Sequence, residues 1–135
     1  MKVQGGCYCG AVRYEAEGDA LFKGQCHCRE CQYITGGGGN LILGLPETEF
    51  KYTKGEPAIY RRDDLDEPVT REFCGKCGTP LTSRAPAAPG VALIKIGSLD
   101  DPAVFGKPDM AIYMDDTYAH HVVDEGVMQF PKAPG

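Results

Sequence analysis

Apolar and polar residues alternate in short runs along this chain, and nowhere do apolar positions hold helical spacing for the length of a helix. In GAVRYEA (10–16), Val12, Tyr14 and Ala16 fall on one side and Ala11, Arg13 and Glu15 on the other, the pattern of a half-buried strand. NLILGL (40–45) is an unbroken apolar run stopped by Pro46, and EFKYT (49–53) sets Phe50 and Tyr52 on one face. The same reading predicts strands over AIYRR (58–62), VTREFC (69–74), PLTSR (80–84), VALIKIG (91–97), MAIYM (110–114) and HHVV (120–123). All are short, rich in Val, Ile, Tyr and Phe, and bounded by Gly, Pro or Asp. One or two helical turns are expected after Cys31 (CQYIT) and over SLDDPAVF (98–105), which opens with a Ser-x-x-Asp capping pattern. RAPAAPG (84–90) reads as an exposed loop and FPKAPG as a loose tail. The expected fold is mainly β, in small antiparallel sheets with few short helical turns, forming a single domain over residues 1–135.

Composition narrows the function classes. Glycine (18) and proline (10) are scattered rather than periodic, which fits many turns and excludes a collagen-like repeat. The formal net charge of −5 gives no electrostatic footprint for phosphate backbones or anionic lipid, so nucleic acid and membrane are not expected partners. No segment approaches the roughly 20 apolar residues of a membrane span, and MKVQGGCYCG lacks the apolar stretch of a signal peptide. A reducing, cytoplasmic location is therefore expected. There, clustered cysteines read as metal binding or catalysis more readily than as disulfides. The count of seven cysteines also rules out full internal pairing.

Those seven form three clusters: C-x-C at Cys7 and Cys9, C-x-C-x-x-C at Cys26, Cys28 and Cys31, and C-x-x-C at Cys74 and Cys77. A C-x-x-C pair needs a second pair to complete four ligands, and Cys7 with Cys9 offers one. Four thiolates at about 2.3 Å around Zn²⁺ make a closed structural site, which here would tie together segments more than 60 residues apart. Cys26, Cys28 and Cys31 then remain as a three-thiolate site, and a catalytic zinc keeps three protein ligands and an open position. Two other arrangements stay open. The triplet could join Cys74 and Cys77 and leave Cys7 and Cys9 spare, or His120 or His121 could close the second site. His120 and His121 are otherwise expected on a strand, one packed and one exposed. His27 reads as a surface histidine or as a donor beside the metal. A zinc with three thiolates carries a local formal charge of −1, so an anionic substrate needs nearby cations; Arg29, Lys23, Arg61 and Arg62 are the candidates.

GGCYCGAVRY, CHCRECQYITG and FCGKCGTPL, in this order, resemble the glutathione-dependent formaldehyde-activating enzyme family, which also contains the centromere protein V-type domain. The ending PDMAIYMDD…VDEGVMQF is similar to the same family's C-terminal pattern, so the likeness runs over nearly the whole chain. The resemblance implies a β-tent fold packed around a structural zinc held by Cys7, Cys9, Cys74 and Cys77. It implies a second, exchangeable and catalytic zinc on Cys26, Cys28 and Cys31. It further implies glutathione or a similar small thiol as co-substrate and formaldehyde or a related small carbonyl as its partner, in the manner of a carbon–sulfur lyase that makes S-(hydroxymethyl)glutathione. Thr35 and Gly36 match the motif and are expected near the thiol. The GGGG run (36–39) departs from the family pattern, either as a flexible loop or as bare backbone that a ligand can approach. A binding module that carries a thiol adduct without turning it over, and a redox sensor that releases zinc on oxidation, are the competing readings. A homodimer is compatible with the sequence.

Overall fold

The run NLILGL is apolar without alternation because both of its faces are covered. In the computed structural model, which describes residues 1–134, it forms strand β4 (Asn40–Pro46), with Leu43 and Leu45 in the main core and Ile42 in a second, smaller one. The preceding strands are β1 (Lys2–Gly6), β2 (Arg13–Glu17) and β3 (Phe22–Cys26), and a single helix, α1 (Arg29–Thr35), lies between β3 and β4. After β4 come β5 (Phe50–Lys54), β6 (Ala58–Tyr60), β7 (Thr70–Phe73), β8 (Pro80–Arg84), β9 (Val91–Lys95), β10 (Met110–Ile112) and β11 (Met128–Gln129). Short 3-10 turns sit at Glu47–Glu49, Ile96–Ser98, Pro102–Phe105 and Met114–Asp116. The expected mainly β character holds.

Two sheets result. The small one has the order β1-β2-β5, and the large one β11-β10-β3-β4-β9-β8-β7-β6. The main core lies between them, where Val3, Val12, Tyr14 and Ala16 of the small sheet meet Leu43, Leu45, Leu81 and Ile94 of the large one. Val12, Tyr14 and Ala16 are the side chains that the alternation of GAVRYEA turns inward, and the Tyr14 hydroxyl donates to Ser98 Oγ at 2.6 Å. The second core sits on the other face of the large sheet, where Ile42 and Ile112 pack with Cys26, Cys31, Phe22 and Phe130.

Four local readings change. HHVV is not a strand: His121 Nδ1 accepts the Tyr118 N–H at 2.9 Å and makes the segment a turn. MAIYM is a strand only over β10, and it runs parallel to both β3 and β11 rather than antiparallel. Ser98 ends one 3-10 turn, donating its hydroxyl to Lys95 O at 2.7 Å, while Asp101 caps the next by accepting from Ala103 N. The final segment is tied down: Phe130 N donates to Ala111 O, and Phe130, Pro131 and Lys132 carbonyls accept from Met114, Asp115 and Tyr113.

Candidate metal centres

All seven cysteines are free thiols, and their sulfurs gather into two groups. Cys7 and Cys9 lie in the turn that leaves β1, and Cys74 and Cys77 in the turn that leaves β7. The four Sγ atoms lie within 4.8 Å of one another, with Cys7–Cys9 at 3.6 Å and Cys9–Cys74 at 3.8 Å. A tetrahedron with metal–sulfur bonds of about 2.3 Å has edges of about 3.8 Å, so the spacing fits zinc. Peptide N–H groups already point at the sulfurs: Val12 N donates to Cys7 at 3.2 Å, and Lys76 N and Cys77 N each donate to Cys74 at 3.4 Å. At Cys7 the Val12 donor favours thiolate over thiol. Thr79 joins the two turns by accepting the Tyr8 N–H at 3.1 Å and meeting Cys77 Sγ at 3.1 Å. That hydroxyl is the main reason the Cys77 thiol is drawn down to about 5. Cys7 and Cys74 are buried, whereas Cys9 and Cys77 are exposed. The cluster stands where the small sheet meets the large one.

The second group, Cys26, Cys28 and Cys31, is built from the end of β3 and the start of α1. Cys28 is the N-cap of α1, its sulfur accepting the Cys31 N–H at 3.4 Å. A helix beginning there projects Cys31 back toward Cys26, so all three sulfurs fall within 4.8 Å of one another. Asn40 Nδ2 donates to Cys31 Sγ at 3.3 Å. The Cys26 and Cys28 thiols draw Cys31 down to about 3, with Asn40 and Lys95 adding to the effect against burial. Cys26 is pushed upward, first by Cys28. A thiophilic cation placed among the three sulfurs would displace their thiol protons and be held by all three. The donor set fits a soft, thiophilic ion such as zinc. Cys28 is half-buried, so this group has an open side.

The surrounding residues sort themselves differently from the sequence expectation. Neither His120 nor His121 joins the sulfurs. His121 accepts from Tyr118 on Nδ1, which leaves Nε2 to donate to Gly37 O at 2.7 Å. His27 is fully buried rather than on the surface; neither ring nitrogen has a partner, and its ring meets the edge of His121 at 5.1 Å. Burial, and then His121, lower its pKa, which keeps it neutral. A Cβ at Gly39 would come within 2.8 Å of the His27 ring, so the last glycine of the GGGG run is a close-packing position. Gly36, at φ 76°, ends α1 in the left-handed conformation. Thr35 Oγ1 donates to Gly38 O at 2.6 Å and shapes the same loop. Gln32 clamps the site from below, its amide donating to His27 O at 2.9 Å and to Asp116 O at 3.0 Å.

The four expected cations are engaged elsewhere. Arg29 lies over the Tyr33 ring, Lys23 over Phe105, Arg61 on Thr70, and Arg62 on Glu30 and Asp64. Two cations that sequence reading missed stand on the right face instead. Lys95 is 8% exposed, with its pKa lowered to about 8 chiefly by burial. Arg71 pairs with Glu30 of α1 at 2.9 Å. Within VALIKIG, Lys95 has no feature that separates it from a solvated lysine; only the strand register reveals it.

Two cysteine clusters, each of which could hold a metal ion, sit on a small, mainly β framework. The chain matches the model of the family described as glutathione-dependent formaldehyde-activating enzyme over residues 2–116, and it belongs to that family. A Halomonas elongata protein whose name carries the same family description is 33% identical over 86 residues, 60% of this chain. The chain spans about half the length of that relative, 55% of it. A crystal structure of a Rhodobacter sphaeroides protein shares the fold, with a TM-score of 0.62 at 19% identity, over 78% of this chain and 96% of its own. Among the described residues no helix is long and apolar enough to cross a membrane.

Proposed function

We propose that this protein is a zinc-dependent enzyme of the carbon–sulfur lyase type, joining a small thiol such as glutathione to formaldehyde or a related carbonyl. Cys7, Cys9, Cys74 and Cys77 would hold one structural zinc. Cys26, Cys28 and Cys31 would hold a second, exchangeable one. The observation that carries this reading is the contrast in ligand number: four sulfurs in one cluster, three in the other, and no fourth His, Cys, Asp or Glu among the described residues beside the three. A zinc ion on three thiolates supplies Lewis acidity and lowers the pKa of a thiol that takes its open position.

The chain's own residues do the rest. Cys28, held as the helix N-cap, and Cys31, fixed by Asn40, set the direction of the open side. Thr35 and Gly36 stand at the end of α1, where the loop backbone is bare, and would border the thiol. In the forward reaction the thiol sulfur forms a bond to the carbonyl carbon. The carbonyl π pair moves to oxygen, and that oxygen takes up the proton the thiol gave up. The adduct is a hydroxymethyl thioether, and its cleavage runs the same steps backward.

The test is formaldehyde loss with glutathione, followed by NMR, for the zinc-loaded protein and for Cys28→Ser. A fall of about 100-fold or more, with the circular dichroism spectrum and thermal transition kept and one metal equivalent lost, is expected. Equal rates in the two proteins would leave a thiol-binding module, and peroxide-driven, thiol-reversible zinc release without turnover would leave a redox sensor.

A further inference from the structure

The register of the large sheet lays a row of side chains across one face. Cys26 lies opposite Asn40, Ile42 opposite Lys95, Leu93 opposite Ser83, Ser83 opposite Arg71, and Arg71 opposite Tyr60. Directly paired residues point to the same face, as do residues two apart on one strand. Lys95, Ser83 and Arg71 therefore share the face that carries Cys26 and is capped by α1. Tyr33 and Ile34 of α1, with Tyr60, Arg71, Ser83 and Lys95 of the sheet, line an open-sided cavity of about 340 Å³, and Glu72, which also borders it, has its carboxylate engaged by Arg84 and Thr82. Lys95 also lines a neighbouring cavity of about 530 Å³, beside Thr35, Gly39 and Asn40, the residue bound to Cys31.

Two polar groups in the first cavity lack partners. Lys95, though nine-tenths buried, takes part in none of the ion pairs among the described residues. Ser83 Oγ is buried without any hydrogen bond. Burying an unpaired ammonium is costly, and a buried hydroxyl without a partner adds to the cost. The penalty is offset when an anion with two acceptor oxygens enters. Arg71 is already balanced by Glu30, whereas Lys95 feels the three cysteine sulfurs only at a distance and has no hydrogen-bonding or ion-pair partner of its own among the described residues.

We infer that Lys95 and Ser83 receive a carboxylate of the thiol substrate, and that these two residues are what select a carboxylate-bearing thiol over a simple alkyl or amino thiol. This rests on the thiol reading of the three-cysteine site. Lys95 acts as a specificity-determining residue: it anchors the far end of a molecule whose sulfur faces Cys26, Cys28 and Cys31.

The probe is S-methylglutathione, which keeps both carboxylates but has no thiol to react, set against its diethyl ester, which has neither carboxylate free. Calorimetric binding to the zinc-loaded protein is expected to favour the acid over the ester by at least about tenfold. In Lys95→Met that preference should fall to near unity, with zinc content and thermal transition unchanged. In Ser83→Ala it should fall a few-fold. Equal affinity of acid and ester for the unaltered protein, or no binding of the acid up to millimolar concentration, overturns the inference. So does a preference that survives in Lys95→Met. Should Lys95→Met lose zinc while Ser83→Ala keeps the full preference, Lys95 serves as a counter-charge to the sulfurs and the inference fails. Because the probe cannot turn over, acid preference without formaldehyde consumption would sink the enzymatic reading and leave the carboxylate site standing.

Discussion

The four-cysteine and three-cysteine clusters use the same atoms in opposite settings. The first lies at the rim, in two turns, with Cys9 and Cys77 exposed and its ligands drawn from two sheets. Its neighbours are peptide N–H groups and one threonine hydroxyl. The second is drawn from one short segment and sits under α1 on a sheet face, near an amide, a buried imidazole and a buried ammonium. A cluster that joins distant segments has its use in the joining. A cluster that joins nothing distant, yet lies near a buried imidazole and a buried ammonium that lack hydrogen-bond partners, is the one the proposed function assigns to an incoming molecule.

The largest effect should follow from Cys74→Ser. On the proposed reading a metal on the four sulfurs would fix the small sheet to the large one, and binding free energy at such a site is folding free energy, so a loss of several kcal/mol is expected. Thermal unfolding should show a collapsed transition; a variant that melts like the unaltered protein and keeps its metal would erase the contrast. Metal removal sharpens it further. A chelator of moderate strength is expected to take one zinc quickly with the fold kept, and the second only as the protein unfolds. Release of both in a single phase would mean that the two sites are alike.

The smallest effect belongs to a surface ion pair. Arg13, on the strand behind the four-cysteine cluster, pairs with Asp100, with one contact at 2.8 Å. Arg13 holds the Asp100 carboxyl below its ordinary value. The pair's contribution is therefore present above the ordinary carboxylate pKa of about 3.9 and disappears as pH falls through the lowered value. Both side chains are about a third or more exposed, so Asp100→Asn should cost under about 1 kcal/mol near neutrality and nothing in strong acid. A larger loss in denaturant titration would show that the small sheet leans on more than its sulfur staple.

Much of this was legible in the residues. The spacing of the cysteines favoured the grouping that the sulfurs adopt while leaving the triplet free to join Cys74 and Cys77, and NLILGL and GAVRYEA were readable as strands with the correct inward faces. The omissions have physical causes. FKGQC places a glycine between Phe22 and Cys26, where alternation would call for an apolar side chain, yet it is β3, held between β4 and the parallel β10. Parallel pairing joins residues some 85 positions apart and leaves no local pattern. HHVV has strand composition, but one imidazole nitrogen capturing a peptide N–H at Tyr118 outweighs that preference. Lys95 is hidden for the same reason as β10: its burial is decided by Ile42 and α1, not by its neighbours in the chain.

The parallel strand β10 also imposes an order of events during synthesis. The sulfurs of residues 26–31 emerge from the ribosome well before Ile112 and Phe130, which pack against them. Until those two arrive, one flank of the nascent trio stays open to water. A metal ion can thus be acquired while that flank is uncovered, and once β10 and Phe130 have packed in place, exchange is confined to the side where Cys28 is half-buried.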